Sequence, residues 1–229
     1  MNNSISKNIK KIKITIQKTA EKYKKDKKKI RLLAVSKQKS IIEIEKAINS
    51  NQFDFAENYA QEAIKKIKIL NKKKYKIIWH FIGKIQSNKT KIIAQNFSWC
   101  HSICNSRIAI KLNNYRTKEL LPLNSLIQIN IKKNNEIDDK EIYNISDIIK
   151  SLPNLKLRGI MAIPNKINKK KEKEIKETYK KIEKIYNKLK EKYSSIDTLS
   201  LGMSNDIRIA IKNGSNMLRI GKSIFGNRK

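Results

Sequence analysis

The chain has 229 residues, 39% of them hydrophobic, with a formal charge of +33 from 53 Lys and Arg against 20 Asp and Glu. That composition can fill one large core; it offers no apolar run of membrane-spanning length and no apolar block with a small-residue cleavage site near the N-terminus, so a cytoplasmic chain without a secretory leader is expected. The charge alone would fit a nucleic-acid binder, but the lysines run the whole length of the chain rather than clustering.

In chain order, residues 5–26 place Ile5, Ile9, Ile12, Ile16, Ala20 and Tyr23 at helical spacing, the mark of an amphipathic helix with a basic outer face. After this N-terminal segment, 1–27, short apolar runs alternate with helical patterns. The runs predict strands over Arg31–Val35, Gln52–Ala56, Ile77–Ile82, Ser98–Ile103, Ser125–Ile131, Lys156–Met161, Asp197–Leu201 and Met217–Ile220. Helices are predicted over Ile41–Asn49, Tyr59–Leu70, Ser87–Gln95, Ser106–Lys118, Lys140–Ser151, Lys169–Tyr193 and Ser204–Lys212, with 166–176 as a lysine-rich loop running into the long one. Apolar strands alternating with helices imply a parallel sheet covered by helices, and this number of repeats predicts an α/β fold: a single (β/α)8 TIM-type barrel with an extra N-terminal helix, one domain over 1–229. An open doubly wound sheet is the alternative, but the first turn, SKQKS, lacks the glycines that such a fold uses there.

In such a barrel the functional residues stand where strands run into the following loops. Lys37 ends the first strand, Asn58 and Tyr59 follow the second, and His80 is on the third. The seventh strand runs into Gly202-Met203-Ser204, where a hydroxyl near a helix start would attract an anion. The eighth runs through Arg219 to Gly221-Lys222-Ser223, opening one further helical turn. Loops after strands seven and eight form a common phosphate site in these barrels. The Gly221-Lys222-Ser223 run is not a P-loop, because Asn216 stands where that motif needs glycine. A lysine facing the same mouth as a phosphate site can form a Schiff base with a phosphorylated aldehyde, which describes pyridoxal phosphate (PLP). Cys100 and Cys104, in WCHSIC with His101, read as buried strand cysteines rather than a metal site, and no metal is expected.

The ordered blocks AVSKQK, AENYAQE, WHFIGKIQSNK, LIQIN, LRGIMAIP, LSLGMSND and LRIGKSIFG resemble the pyridoxal phosphate homeostasis proteins, relatives of the N-terminal barrel of alanine racemase, from about Arg31 to Gly226. The resemblance implies a PLP-binding protein that buffers or delivers the cofactor, without established turnover. By that resemblance Lys37 matches the lysine carrying PLP as an internal aldimine, Ser204 the phosphate serine, Gly221 and Lys222 the amides completing the phosphate cup, and Arg219 the residue facing the pyridine nitrogen. Asn58 and His80 match positions near the ring. PLP and PLP-requiring apoenzymes are the expected partners of a monomeric chain, with no specific nucleic acid and no membrane. The chain departs from the family pattern at Ala56, usually glycine, at Lys222, often Ser or Thr, and in the loop KKNNEIDD after the fifth strand, which lacks the family's Lys-x-Gly.

Two other readings stay open. A racemase-like PLP enzyme needs a second proton-transfer group, for which His80, Tyr59 and Lys39 are the candidates; the family's relative, alanine racemase, draws its tyrosine base from a C-terminal domain not found in this sequence. A basic nucleic-acid binder would favour arginine, which forks onto phosphate and guanine, yet only Arg31, Arg107, Arg116, Arg158, Arg208, Arg219 and Arg228 occur.

Overall fold

The computed structural model describes residues 4–131, 137–163 and 172–226. Among them eight parallel strands close into a barrel: β1 (Arg31–Val35), β2 (Asp54–Glu57), β3 (Ile78–Phe81), β4 (Trp99–Ile103), β5 (Leu123–Ile129), β6 (Leu155–Ala162), β7 (Thr198–Ser200) and β8 (Met217–Ile220). Each pairs with the next, and β8 returns to β1 with Leu33 opposite Arg219. The helices are α1 (Ser4–Lys22), α2 (Ile41–Ile48), α3 (Ala60–Lys72), α4 (Thr90–Asn96), α5 (Ser106–Tyr115), α6 (Asp139–Ser151), α7 (Glu172–Lys192), α8 (Ile207–Lys212) and α9 (Lys222–Phe225). Among the described residues no helix is long and apolar enough to cross a membrane. The loop KKNNEIDD and the lysine-rich segment 166–176 lie largely outside the described residues.

Two apolar layers hold the barrel. The outer one lies between strands and helices and includes Ala34, Phe55, Phe81, Cys100, Ile127 and Ile160. The inner one consists of Leu33, Ala56, Trp99, Leu126, Met161 and Met217. Side chains alternate between these layers along each strand. In β6 the alternation breaks at Gly159: Leu157 and Ile160 both face outward, while Met161 faces in. The ladder shifts register there, between Ser125 and Leu126 of β5. Gly159 takes φ +143°, and a Cβ on it would stand 1.9 Å from the Thr198 carbonyl oxygen, so only glycine fits. A second shift in β4, between Cys100 and Ile103, lets both of these face the helices while His101 faces the barrel axis. Cys104 lies beyond the end of β4 and is half-buried, so it is not a strand residue as expected.

α1 buries Ile5, Ile9, Ile12, Ile16 and Ala20 and packs on α2, α8 and α9. It stops at Lys22, short of the predicted Asp26, because Lys24 turns left-handed with φ 52°. The amide of Lys25 then reaches Ala20 O (2.9 Å) and that of Lys24 reaches Glu21 O (3.2 Å), a Schellman ending. The same device closes α2 at Asn51 (φ 55°), α3 at Lys74 (φ 58°) and α8 at Gly214 (φ 82°). Three of these four left-handed positions carry a residue with a Cβ, which hides the stop signal from the sequence. The predicted helix over Ser87–Gln95 is a 3-10 turn, Ser87–Lys89, followed by α4. α8 begins at Ile207, after a turn over 204–206, so Ser204 precedes the helix rather than starting it.

The side chain of Lys74 is exposed, so Lys74→Gly removes only the cost of a left-handed Cβ residue. It is expected to stabilise the protein by about 0.5–1 kcal/mol. A urea midpoint that stays put or falls would show that this ending is unstrained.

Candidate functional site

Lys37 stands at the C-terminal mouth of the barrel. Leu33 and Val35 belong to the inner layer, and Lys37 lies two residues beyond Val35, where β1 ends. It is the first corner of a tight turn closed by the Lys39 N–H donating to Ser36 O at 3.0 Å. Gln38, the second corner, takes φ 60°.

A buried cation holds this turn from below. The Lys66 ammonium on α3 donates all three of its protons: to Ser36 O (2.7 Å), Glu57 Oε1 (2.8 Å) and Glu62 Oε1 (2.6 Å). Ser36 Oγ donates to Glu57 Oε1 (2.7 Å), and the Gln38 N–H donates to Glu62 Oε1 (2.6 Å). Both neighbours of Lys37 are therefore fixed by one ion-pair network. Glu57 is fully buried. Burial pushes its carboxyl above the usual range, and the Lys66 charge and hydrogen bonds with Ser36 only partly pull it back.

The loops after β7 and β8 converge beside this turn. Gly202 takes φ 94°, and a Cβ there would press on Ala210 and Leu218, at 2.6 and 2.8 Å. The loop it opens is shaped by Asp206, which accepts from the Met203 N–H (2.5 Å) and from the Tyr179 hydroxyl. Ser204 on that loop receives the Ser223 N–H at 3.3 Å. The loop after β7 and the start of α9 thus meet. The first amides of a helix have no intrahelical acceptor, and here they belong to Gly221, Lys222 and Ser223. A Cβ on Gly221 would lie 3.3 Å from Val35 Cβ and from Val35 O, so this cup sits against the strand that carries Lys37.

Arg219, on β8, is buried. Its Nη1 donates to Ser200 O (2.7 Å) and Ser200 Oγ (2.6 Å), and its Nη2 to Ala162 O (2.8 Å). Burial draws the guanidinium down to about 10, partly offset by Tyr179 and Asp206, so it stays charged at neutral pH.

Among the described residues, three buried side-chain polar atoms lack a hydrogen-bond partner: Glu57 Oε2, Asn58 Oδ1 and Trp79 Nε1. Two of the three are at the end of β2, next to the lysine turn. An amine, a set of backbone amides at a helix start and a fixed cation, brought to one end of the barrel, suit a phosphorylated aromatic aldehyde.

His80 is elsewhere. It is fully buried inside the barrel, with Nε2 3.0 Å from Asp54 Oδ1 and Nδ1 3.0 Å from His101 Nε2. Both nitrogens are committed to protein partners, so it offers neither to a ligand. Lys39 is held by Glu43 (3.3 Å) and Phe225 O (3.3 Å), and Tyr59 is exposed, ahead of α3. The residues that sequence reasoning missed are Asp54, Glu62, Lys66, His101 and Ser200. Only the i,i+4 spacing of Glu62 and Lys66 gave a local signal.

Removing the cation below the turn while keeping its bulk, by Lys66→Met, leaves Glu57 buried without a counter-ion. The expected loss is about 3 kcal/mol or more, shrinking on acidification as Glu57, whose carboxyl burial holds above its usual range, takes up a proton; a loss that does not shrink with falling pH would contradict the network. The histidines give a second pH test. Burial lowers His80, with Asp54 offsetting part of the shift, and lowers His101 well below its usual value, with help from His80, Arg219 and Arg31. The unfolded chain therefore protonates first. Stability is full above the unfolded value of about 6.5 and declines as pH falls below it, by up to about 1.4 kcal/mol per pH unit for each histidine. A denaturation midpoint that is flat from pH 7.5 to 5.5 would exclude two buried neutral histidines.

A family described as alanine racemase, N-terminal domain, matches residues 8–229. The pyridoxal phosphate homeostasis protein of Buchnera aphidicola subsp. Baizongia pistaciae is 51% identical over 225 residues, covering 97% of this chain and 98% of that one. The protein of the same name from Escherichia coli (strain K12) is 42% identical over 230 residues, covering 99% of this chain and 97% of that one. Among solved structures, PipY of Synechococcus elongatus with PLP bound superposes with a TM-score of 0.78 at 26% identity, over 86% of this chain and 93% of that chain. Alanine racemase from Bacillus anthracis shares the fold, with a TM-score of 0.66 at 12% identity over 99% of this chain and 56% of that chain. On this extent of match, the chain belongs to the family of pyridoxal phosphate homeostasis proteins, within the wider family of alanine racemase N-terminal barrels.

Proposed function

We propose that this chain binds PLP covalently through Lys37 Nζ and acts as a carrier in PLP homeostasis, releasing the cofactor to PLP-requiring apoenzymes. The observation that carries the reading is the meeting of the loops after β7 and β8, Ser223 N–H to Ser204 Oγ at 3.3 Å, against the end of the strand that runs into Lys37. The relatives' name and the PLP-bound PipY structure support it.

When bound, PLP supplies an aldehyde for an amine and a pyridine ring that draws electrons. The chain's own residues divide the work. Lys37 provides the amine, and the Lys66 network keeps its turn fixed. Ser204 and the amides of Gly221 and Lys222 hold the phosphate; the Lys222 side chain is exposed and adds only a distant positive charge. Arg219 would face the ring nitrogen, where its positive charge would oppose a proton and make the ring a weaker electron sink. Asn58 lies beside the lysine turn with a polar atom to offer.

This assignment favours storage and transfer over turnover. A racemase needs a second base, and the three groups considered for it are committed or exposed: His80 to Asp54 and His101, Lys39 to Glu43 and Phe225 O, and Tyr59 to solvent.

The test is visible absorption and intact mass of the protein with PLP, for wild type and Lys37→Ala. Wild type is expected to form a one-to-one covalent adduct that the variant cannot form, with the far-ultraviolet circular dichroism unchanged. A stoichiometric adduct in the variant would sink the assignment. Steady exchange of an amino acid α-proton that depends on Lys37 would instead establish the racemase-like reading.

A further inference from the structure

The sequence contains two histidines, and both lie in one buried column through the barrel. From the mouth downward the links are Arg219 Nη1 to Ser200 Oγ (2.6 Å), Ser200 Oγ to His101 Nδ1 (3.4 Å), His101 Nε2 to His80 Nδ1 (3.0 Å) and His80 Nε2 to Asp54 Oδ1 (3.0 Å). Asp54 is also paired with Arg31. The side chains of Arg31 and Asp54 are 33% and 22% exposed, so the column ends at solvent on the opposite face of the barrel from Lys37. Trp99 stacks on His80 with centroids 5.4 Å apart, and the Arg31 and Arg158 guanidiniums lie over the Trp99 ring at 5.3 and 4.8 Å.

The two ends decide where every proton in between must sit. A guanidinium can only donate, and a carboxylate can only accept. Asp54 is held as the carboxylate: burial alone would raise it, but the hydrogen bond from His80 and the charge and hydrogen bond of Arg31 bring it below its usual range. His80 Nε2 must therefore carry a hydrogen, because a bare nitrogen there would face an acceptor with an acceptor. A neutral His80 then leaves Nδ1 bare, to accept from His101 Nε2–H. That leaves His101 Nδ1 bare, to accept from the Ser200 hydroxyl, whose lone pair takes the Arg219 N–H. Arg219 and Arg31 oppose a positive charge on His101; on His80 burial and Arg31 oppose it, against the Asp54 carboxylate, which favours it.

We propose that Asp54, His80, His101 and Ser200 form a one-way hydrogen-bond column that positions Arg219, with both histidines neutral and protonated at Nε2, so that a carboxylate at the far face of the barrel orients the cation in the cofactor site. Arg219's duty toward PLP rests on the function proposed above; the proton positions do not. Asp54 sets the polarity. With Asp54→Asn the side-chain amide can donate to His80 Nε2, the reverse order becomes allowed, and the Ser200 hydroxyl loses its obligatory acceptor.

The experiment is 15N nuclear magnetic resonance of histidine-labelled protein without PLP, from about pH 5.5 to about pH 8, a range that spans the ordinary histidine transition. The expected result is two neutral rings, both Nε2–H, neither titrating. A charged ring, or an Nδ1–H tautomer in the wild type, overturns the proposal whether or not the protein binds PLP. In Asp54→Asn the Nδ1–H form is expected to appear, and PLP is expected to bind about five-fold more weakly, the loss of roughly one hydrogen bond's worth of orientation. Ser200→Ala, which alters only the link next to Arg219, is expected to weaken PLP similarly, while Ser200→Thr, which keeps the hydroxyl, restores binding. If Asp54→Asn does not fold, the two Ser200 variants decide. Unchanged PLP affinity in Ser200→Ala, or in a folded Asp54→Asn, would mean that the column is structural only. Failure of the wild type to bind PLP at all would count against the function proposed above and leave the tautomer result standing.

Discussion

Closing parallel strands into a barrel sends alternate side chains to the axis, where water is scarce and an unpaired charge costs several kcal/mol. In this chain the inward positions include Arg31, Asp54, His80, His101, Ser200 and Arg219, so the barrel is stable only if these groups satisfy one another. They do so in series, each imidazole ring and the Ser200 hydroxyl taking one neighbour above and one below. The apolar residues Leu33, Ala56, Leu126, Met161 and Met217 fill the remaining interior. Once this column is accepted, the two register shifts make sense: they let His101 and Met161 reach the axis without turning Ile103 or Ile160 away from the helices.

A second buried charge, Lys66, works outside the strand ring. It ties α3 to the turn after β1 through Ser36 and to the end of β2 through Glu57. The lysine turn is thus held from the α3 side, and the loop after β8 rests on Val35 from the other, with Lys37 between them. Such an arrangement fixes backbone on either side of a side chain while leaving the side chain itself half-buried. For a carrier, that combination is useful: positions are set in advance, which lowers the ordering cost of binding, yet the amine is not sealed away.

Much of this was legible in the sequence, and for identifiable reasons. Strand order and count followed from short apolar runs; β1 and β8 were placed to the residue because their apolar runs stop at Ser36 and Gly221 and begin at Arg31 and after Asn216. Lys37, Ser204 and Gly221 could be singled out because a barrel concentrates function at strand ends. Helix ends were poorly legible, since Lys24 and Lys74 occupy left-handed positions where glycine is the usual signal. The bulges were invisible because they break the very alternation used to read a strand. Ser200 and His101 were missed because their partners are distant in sequence, and the i,i+4 spacing with Glu62 is too common in so lysine-rich a chain to mark Lys66 as buried. His80 was placed near the ring by resemblance, whereas its neighbours Asp54 and His101, apparent only after folding, take both of its nitrogens.

The central claim is that one lysine among many was placed to hold an aldehyde. The most direct measurement is to load the wild-type protein with PLP at near-stoichiometric concentration, reduce it with borohydride and map the modified residue by peptide mass spectrometry. The account predicts a single adduct, on the peptide containing Lys37, with phosphate competing for its formation. Label scattered over surface lysines, or concentrated on a lysine away from the barrel mouth, would contradict it and leave the family fold without the family's chemistry.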